Sequence, residues 1–210
     1  MVEILELAES AGVAVRSMTR HELDALVPGV SHQGVIAETG GVAGLSEGDL
    51  SDFLANLEGT PFLLVLDGVQ DPHNLGACLR SADAAGVDLV IVPKDRSAPL
   101  SAVARKVACG GADHVPLLRV TNLARTLRSL KDEGIWLYGA ASEAEKTLYE
   151  TDLKGPLALI LGGEGKGLRR LTREHCDGLA SIPLDGSVSS LNVSVATGIC
   201  LFEARRQRAD

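Results

Sequence analysis

The sequence is poor in aromatic residues, which make up 3% of the chain as three Phe, two Tyr and one Trp. Binding platforms for single-stranded RNA stack bases on aromatic side chains, so this composition argues against such a platform. No apolar run reaches the roughly 18 residues that a transmembrane helix requires. The start of the chain, MVEILELAES, is acidic where a signal peptide is basic. We therefore expect a soluble, cytoplasmic protein with no membrane partner.

Paired cysteines and regular metal-ligand spacings are also missing. The four cysteines, Cys78, Cys109, Cys176 and Cys200, lie 31, 67 and 24 positions apart, and no CxxC motif occurs. Such wide spacing does not match a zinc site or a disulfide framework. We expect buried free thiols and no bound metal.

An excess of basic residues is absent as well: the net charge is −8, whereas phosphate binding normally requires Lys and Arg. Residues 1–59 contain ten acidic and two basic residues, while residues 60–210 contain eighteen of each. Basic residues in the second part are clustered, a pattern shared by phosphate-binding patches and solvated helix faces. The clusters are Arg105 and Lys106; Lys166, Arg169, Arg170 and Arg173; and Arg205, Arg206 and Arg208.

From residue 62 onward, strand and helix patterns alternate, which predicts an α/β fold with a mostly parallel sheet. Six short segments are nearly all apolar, so we expect strands that are buried on both faces. These predicted strands are residues 62–67, 88–92, 114–118, 135–140, 157–161 and 179–183. Helices are predicted at 74–85, 100–108, 122–132 with Thr121 as the N-cap, and 191–206 with Ser189 or Ser190 as the N-cap.

The first 59 residues form a different unit. The pattern predicts a helix over residues 4–10 that Gly12 closes, a strand at 13–15, a capped helix over 19–26 and a strand at 34–37. Residues 38–49 contain four glycines and are a linker candidate. About forty residues are too few for a comfortable independent core.

The glycine-rich segments do not match the common nucleotide-binding motifs. In LILGGEGKGL, a phosphate loop would need Gly and then Ser or Thr where the chain has Ile160 and Gly167. The turn after the first strand, VLDGVQDPHNLG, contains no GxGxxG. An ordinary Rossmann dinucleotide or methyltransferase site is therefore not expected.

Three segments combine strand signals with glycines and with polar residues that a core does not need. They are DPHNLGACLRSADAAG at 71–86, LILGGEGKGL at 159–168 and SIPLDGSVSSLNVSVATGICLFEA at 181–204. In this order they resemble the three motifs of the SpoU/TrmH (SPOUT) family of RNA ribose 2′-O-methyltransferases. The resemblance covers about residues 62–208. Within the family, it is closest to bacterial enzymes that methylate a guanosine ribose in 23S ribosomal RNA.

The resemblance implies a fold that periodicity alone does not predict. Residues 60–210 would form a Rossmann-like methyltransferase domain with a deep trefoil knot, although knots are rare among protein folds. Residues 1–40 would be a partial α/β RNA-binding domain like ribosomal protein L30e, and residues 41–59 a linker. The usual opening strand and helix of that domain are absent, so we expect a truncated domain or a late start. S-adenosylmethionine as cofactor, 23S ribosomal RNA as partner and a homodimer with shared active sites are also implied.

The resemblance further implies the site residues. The catalytic set would be Asn74, Arg80, Glu164 and Asn192. S-adenosylmethionine would be bound by Gly162, Gly163, Ile182, Pro183, Ser190 and Leu191.

Each of these residue types also has an ordinary structural interpretation. Arg80 is placed to form a surface ion pair with Asp83 or Asp88, and Glu164 to complement a helix dipole. Ser190 is a typical N-cap residue. An Asn such as Asn192, just inside an apolar helix, must find hydrogen-bond partners if it is buried.

The implied chemistry suits these residues. A ribose 2′-OH is a poor nucleophile, so the protein must align the reactants and help to remove a proton. A guanidinium is a weak base because its pKa lies above about 12. Either Arg80 or a bound phosphate that Arg80 positions would take the proton. Two alternatives stay open: transfer RNA as the substrate, which the long N-terminal segment disfavours, and a non-catalytic RNA-binding relative, which the intact catalytic set disfavours.

Overall fold

The computed structural model describes residues 2–29, 31–38, 45–165 and 167–209, and the chain divides into two compact units, residues 1–41 and 42–210. The first unit contains α1 (Val2–Ser10) and α2 (Arg20–Leu26). The helix α2 begins with a capping box, in which the Thr19 hydroxyl accepts from the Glu22 N–H and the Glu22 carboxylate accepts from the Thr19 N–H at 2.7 Å. Both helices follow the sequence prediction.

The two strands predicted in the first unit are wrong. Residues 13–15 and 34–37 have no regular structure, and none of the described residues of this unit is buried. A strand requires a partner and a face to cover. The described part of this unit offers neither, so apolar residues such as Val13 and Val15 stay exposed.

The second unit is built on six strands, all joined by parallel pairing. They are β1 (Phe62–Asp67), β2 (Leu89–Pro93), β3 (Leu117–Val120), β4 (Trp136–Ala140), β5 (Leu157–Gly162) and β6 (Gly178–Ala180). Their order in the sheet is β3-β2-β1-β5-β4-β6. The predicted mostly parallel α/β sheet is confirmed. The strand predicted at 114–118 begins later because residues 111–114 form a short helix.

Helices cover both faces of this sheet. They are α3 (Leu50–Ala55), α4 (Pro72–Ala85), α5 (Ala102–Ala108), α6 (Gly111–His114), α7 (Leu123–Asp132), α8 (Arg170–His175) and α9 (Val193–Arg208). Alternate residues of each strand point to opposite faces. In β1, Leu64 and Leu66 pack with α4, α5 and α9, whereas Leu63 and Val65 pack with α3 and α7. The core therefore consists of two apolar layers that the sheet separates. The first layer contains Leu64 and Leu66, and the second layer contains Leu63 and Val65.

Part of the predicted linker packs on the second unit. Residues 47–49 form a 3-10 turn that leads directly into α3, where Leu50 is buried in the second apolar layer. The Glu47 carboxylate accepts from the Arg125 guanidinium at 2.7 Å and from the Thr121 N–H. Residues 39–44 also belong to the predicted linker candidate at 38–49, and they lie outside the described residues.

Two predicted helix starts are wrong, and in both an asparagine is the cap. Asn122, and not Thr121, caps α7, because its side-chain oxygen accepts from the Arg125 N–H at 3.1 Å. Asn192, and not Ser189 or Ser190, caps α9, which begins two residues later than predicted. Asn is among the strongest N-cap residues, since its short amide reaches the unpaired N–H groups of the first turn.

Strands β1 and β5 lie side by side, with Asp67 opposite Gly162 at their carboxyl ends. From β1 the chain continues to β2 on one side, and from β5 it continues past β4 to β6 on the other side. Such a reversal of direction opens a crevice at the carboxyl edge of a parallel sheet, where ligands bind in open α/β folds. The topology therefore indicates a site above Asp67 and Gly162.

Candidate active site

Asn74 is placed at this edge by the sharp start of α4. Asp71 caps the helix through a 2.8 Å hydrogen bond from the His73 N–H, and Pro72 occupies the first helical position. Proline is favoured there because its ring fixes φ and no N–H is needed. Asn74 consequently lies in the first turn, just after β1, with its side chain half-buried.

Asn192 is placed at the same edge by the start of α9. Its side-chain oxygen accepts from the Ser194 N–H at 2.8 Å and from the Ser194 hydroxyl at 2.7 Å. Its Nδ2 donates to Oδ1 of Asn74 at 3.0 Å. The cap therefore fixes which way this amide faces.

The orientation of the Asn74 amide is fixed by Asn192, and it determines the contact with Glu164. Because Oδ1 of Asn74 accepts from Asn192, its Nδ2 is the group that donates, and it donates to Oε1 of Glu164. Glu164 is exposed, in the loop that follows β5. We call this chain of hydrogen bonds, Asn192 to Asn74 to Glu164, the amide relay. It joins residues 90 and 118 positions apart.

The glycines of the loop after β5 permit very close backbone contacts. A Cβ on Gly162 would lie 2.0 Å from the carbonyl carbon of Gly167, and one on Gly163 would lie 2.1 Å from the carbonyl oxygen of Gly68. The Gly163 N–H also donates to the carbonyl of Asp67 at 3.0 Å. The loop is thus folded onto itself and pressed against the turn after β1. Lys166, predicted here as part of a basic cluster, lies outside the described residues.

Among the described residues, Arg80 has no hydrogen bond to a member of the amide relay. It lies six residues beyond Asn74 on α4, about 9 Å further along the helix axis. Its Nη1 donates to Sγ of Cys109 at 3.5 Å, and within the described residues it forms no ion pair with Asp83 or Asp88. Cys109 has a φ of 50°, a left-handed conformation that is uncommon for residues other than glycine.

The residues predicted to bind S-adenosylmethionine come from two segments of the chain. Gly162 is the last residue of β5 and Gly163 follows it, whereas Ile182, Pro183, Ser190 and Leu191 lie on the segment between β6 and α9. Ile182 and Leu191 are half-buried, and Ile182 packs on the first apolar layer, while Pro183 and Ser190 are exposed. Glycine backbone and partly covered apolar side chains are chemically suited to an adenosine group, which needs apolar walls and main-chain hydrogen bonds.

Asp67 and Arg169 were not among the predicted site residues, although they contact each other at the carboxyl end of β1. Asp67 is the last residue of β1 and is fully buried, and its carboxylate is held by Arg169, 102 positions later. The available signal was a carboxylate at the end of an otherwise apolar strand. Its partner could not be identified from the sequence because the contact depends on the path of the loop after β5.

Most of the predicted basic clusters have partners inside the chain. Arg105 pairs with Asp113, Arg170 with Glu174, Arg173 with Glu143 and Arg206 with Glu203. Arg208 donates to the carbonyl oxygens of Thr60, Lys154 and Gly155. The exposed arginines of these ion pairs fit the interpretation of the clusters as solvated helix faces, and the phosphate-binding patch stays a prediction.

All four cysteines are free, as predicted, but they are not all buried. Burial raises the pKa of the Cys78 and Cys176 thiols to about 11 and that of Cys200 to about 12. Cys109, beside Arg80, is exposed. In the described part of the chain, no group of three or more His, Cys, Asp or Glu side chains is arranged to hold a metal ion. The same residues include no helix long and apolar enough to cross a membrane.

A parallel α/β sheet with glycine-rich backbone and polar side chains at its switch point belongs to the class of open α/β proteins that bind ligands at this edge. Residues 61–202 match the SpoU rRNA Methylase family, and residues 1–42 match the RNA 2′-O ribose methyltransferase substrate binding family. The first match covers more than half of the chain. The protein belongs to the SpoU rRNA methylase family.

Individual relatives agree with this family. The chain is 61% identical over 209 residues to the 23S rRNA (guanosine-2′-O-)-methyltransferase RlmB of Escherichia coli K12, covering 100% of this chain and 86% of that protein. The SpoU methyltransferase AviRb from Streptomyces viridochromogenes in complex with AdoMet has a TM-score of 0.69 and 29% identity, over 73% of this chain and 60% of that chain. An AdoMet-bound rRNA methyltransferase from Sinorhizobium meliloti has a TM-score of 0.66 and 33% identity, over 71% of this chain and 57% of that chain.

Proposed function

We propose that this protein transfers the methyl group of S-adenosylmethionine to the 2′-OH of a guanosine ribose in 23S ribosomal RNA. The observation that carries the proposal is the 61% identity to a 23S rRNA guanosine-2′-O-methyltransferase over the whole chain. The amide relay gives it a structural basis, since it joins one residue from each of the three sequence motifs at a single point.

The proposed cofactor site lies at the carboxyl ends of β5 and β6. Gly162, Gly163, Ile182, Pro183, Ser190 and Leu191 would hold S-adenosylmethionine, with the glycine backbone on one side and Ile182 and Leu191 as apolar walls. When bound, this cofactor would supply a methyl group on a positively charged sulfonium sulfur, and that sulfur would leave as a neutral thioether. The protein itself need not provide a covalent nucleophile or a metal.

The amide relay orients the reacting groups in this proposal. Asn192 is fixed by its role as the cap of α9, and it fixes Asn74 in turn. Asn74 then holds one oxygen of the Glu164 carboxylate in a defined direction. Such preorganised polar groups lower the barrier to methyl transfer because no reorganisation is needed when the hydroxyl loses its proton.

Arg80 completes the site from a second copy of the chain. The support is its position on α4, six residues beyond Asn74, and its contact with Cys109. In a homodimer, Arg80 of one subunit would position the ribose hydroxyl and the adjacent RNA phosphate at the relay of the other. A guanidinium suits this role, since its planar donors bind phosphate oxygens in pairs. Either Arg80 or the adjacent phosphate would take the proton that the hydroxyl loses.

The proposal also assigns a role to each segment of the chain. Residues 1–40 form an RNA-recognition unit of partial L30e-like fold, residues 41–59 connect it to the next domain, and residues 60–210 form the knotted methyltransferase domain. The match of residues 1–42 to a substrate-binding family supports the first part. The return of α9 from the edge strand β6 to pack on α4 and β5 is compatible with a knot. The enzyme would work in the cytoplasm on ribosomal RNA.

The test is methyl transfer from labelled S-adenosylmethionine to separately purified 23S, 16S and transfer RNA without existing modifications. Calorimetry on the same preparation measures binding of the cofactor. We expect cofactor binding and incorporation into 23S RNA alone. Incorporation only into transfer RNA would refute the proposed substrate, and cofactor binding with no transfer to any RNA would favour a non-catalytic RNA-binding protein.

A further inference from the structure

Asp67 is a carboxylate in a buried position, where a charge costs free energy. Its carboxylate ends β1 beneath the crevice, and its side chain has 0% exposure to solvent. Burying a carboxylate costs free energy unless partners satisfy both oxygens. An apolar residue there would continue the pattern of β1, in which the five preceding residues are all buried and apolar.

Arg169 satisfies both oxygens of this carboxylate. Its Nε donates to Oδ1 at 2.5 Å, its Nη2 contacts the same oxygen, and its backbone N–H donates to Oδ2 at 3.1 Å. Arg169 lies at the end of the loop after β5 and is the residue before α8. The carboxylate therefore holds the end of the loop through both the main chain and the side chain.

The backbone of Asp67 holds the beginning of the same loop. Its carbonyl oxygen accepts from the Gly163 N–H at 3.0 Å. Gly163 also pairs with Gly167 in an isolated antiparallel bridge, which closes the loop on itself. Glu164, the last member of the amide relay, is the first residue after Gly163. One residue at the end of β1 thus fixes both ends of the loop that carries Glu164.

We propose that Asp67 and Arg169 are positioning residues for the methyl-transfer reaction, because they hold the loop after β5 so that Glu164 meets Asn74. This inference rests on the proposed function. The guanidinium of Arg169 is essential to this inference. It makes two contacts with Oδ1 of Asp67, while the Arg169 backbone N–H donates to Oδ2. A lysine at this position keeps the charge but provides a single point of contact.

The inference requires an effect on the loop beyond a general loss of stability. Asp177 provides the matched control: its carboxylate accepts from the Leu137 N–H at 2.9 Å and pairs with Lys131 at 2.7 Å. It is also a largely buried carboxylate held by a cation and a backbone N–H, but it lies at the amino ends of β4 and β6, away from the relay. Asp177→Asn should therefore change stability alone.

The experiment compares Asp67→Asn, Arg169→Lys and Asp177→Asn with the unchanged protein. Thermal unfolding reports stability, hydrogen exchange without cofactor reports protection of the loop after β5, and initial rates with 23S RNA report kcat and KM. We expect both site variants to exchange faster in the loop and to lose about ten-fold or more in kcat, since small misplacements of catalytic groups have large effects. We expect Asp177→Asn to keep loop protection and kcat within about two-fold of the unchanged protein while its unfolding temperature falls.

Two outcomes overturn the inference: unchanged loop protection in a folded Arg169→Lys protein, or equal losses of kcat in Asp67→Asn and Asp177→Asn. If Asp67→Asn does not fold, Arg169→Lys decides, because it keeps the charge next to Asp67. Failure of the unchanged protein to methylate any RNA refutes the proposed function instead. The hydrogen-exchange comparison then still shows whether Asp67 and Arg169 hold the loop.

Discussion

Replacing Asn74 by Asp tests the amide relay with almost no change in shape. In the protein as it stands, Asn74 accepts from Asn192 and donates to Glu164. The variant Asn74→Asp keeps the acceptor, but it removes the donor and places a second carboxylate against Glu164. A hydrogen bond to a charged group is worth about 1.5–3 kcal/mol, which corresponds to about a 10- to 150-fold change in rate if it is needed in the transition state. Repulsion between the carboxylates adds to this loss.

The assay is the initial rate of methyl transfer to 23S RNA, measured over a range of pH. We expect the lost rate to recover in part as the pH falls, because two adjacent carboxylates raise the pKa of one of them, and its protonated form donates again. Asn122→Asp is the matched control, since Asn122 only caps α7 and Asp caps equally well. An Asn74→Asp enzyme with full activity at neutral pH would refute the relay.

Three further predictions concern the loop, the second subunit and the thiols. Gly163→Ala should reduce S-adenosylmethionine affinity, measured by calorimetry, and should cost about 1–3 kcal/mol of stability, measured by thermal unfolding, because the new Cβ meets backbone. Gly155→Ala is the control: its Cβ would have no atom within 4 Å, so affinity and stability should both stay unchanged. Heterodimers of Arg80→Ala and Asn192→Ala subunits should regain methylation that neither parent shows, and verified heterodimers without activity would contradict a shared site. The pKa values of Cys78, Cys176 and Cys200 are raised in the fold, so the unfolded chain loses these protons first. The unfolding temperature should therefore fall as the pH rises from about 8.5 to about 11, and a constant unfolding temperature over that range would contradict this.

The sequence predicted the sheet well because each strand can be recognised from its own apolar residues. Segments such as Phe62–Asp67 and Leu157–Gly162 are almost entirely apolar, and only a strand buried on both faces accommodates them. The same reasoning failed at residues 13–15 and 34–37, where short apolar patterns found no partner strand. Strand formation depends on pairing, which local sequence does not specify.

The site was predicted unevenly for a related reason. Asn74, Glu164 and Asn192 could be selected through the three motifs, but the order of hydrogen bonds among them depends on where α4 and α9 begin. Asn192 was expected just inside a helix, and its role as the cap is what turns its amide toward Asn74. Asp67 and Arg169 were missed because a contact across 102 residues depends on the folded loop.

The most direct test of the central claim is the chemical identity of the methylated product. 23S RNA methylated by the purified protein is digested to nucleosides and analysed by mass spectrometry, and a parallel sample is treated with alkali. The account predicts 2′-O-methylguanosine as the new nucleoside and one phosphodiester bond that resists alkali, because the 2′ oxygen can no longer attack it. A methyl group on a base, or on the ribose of another nucleoside, would contradict it.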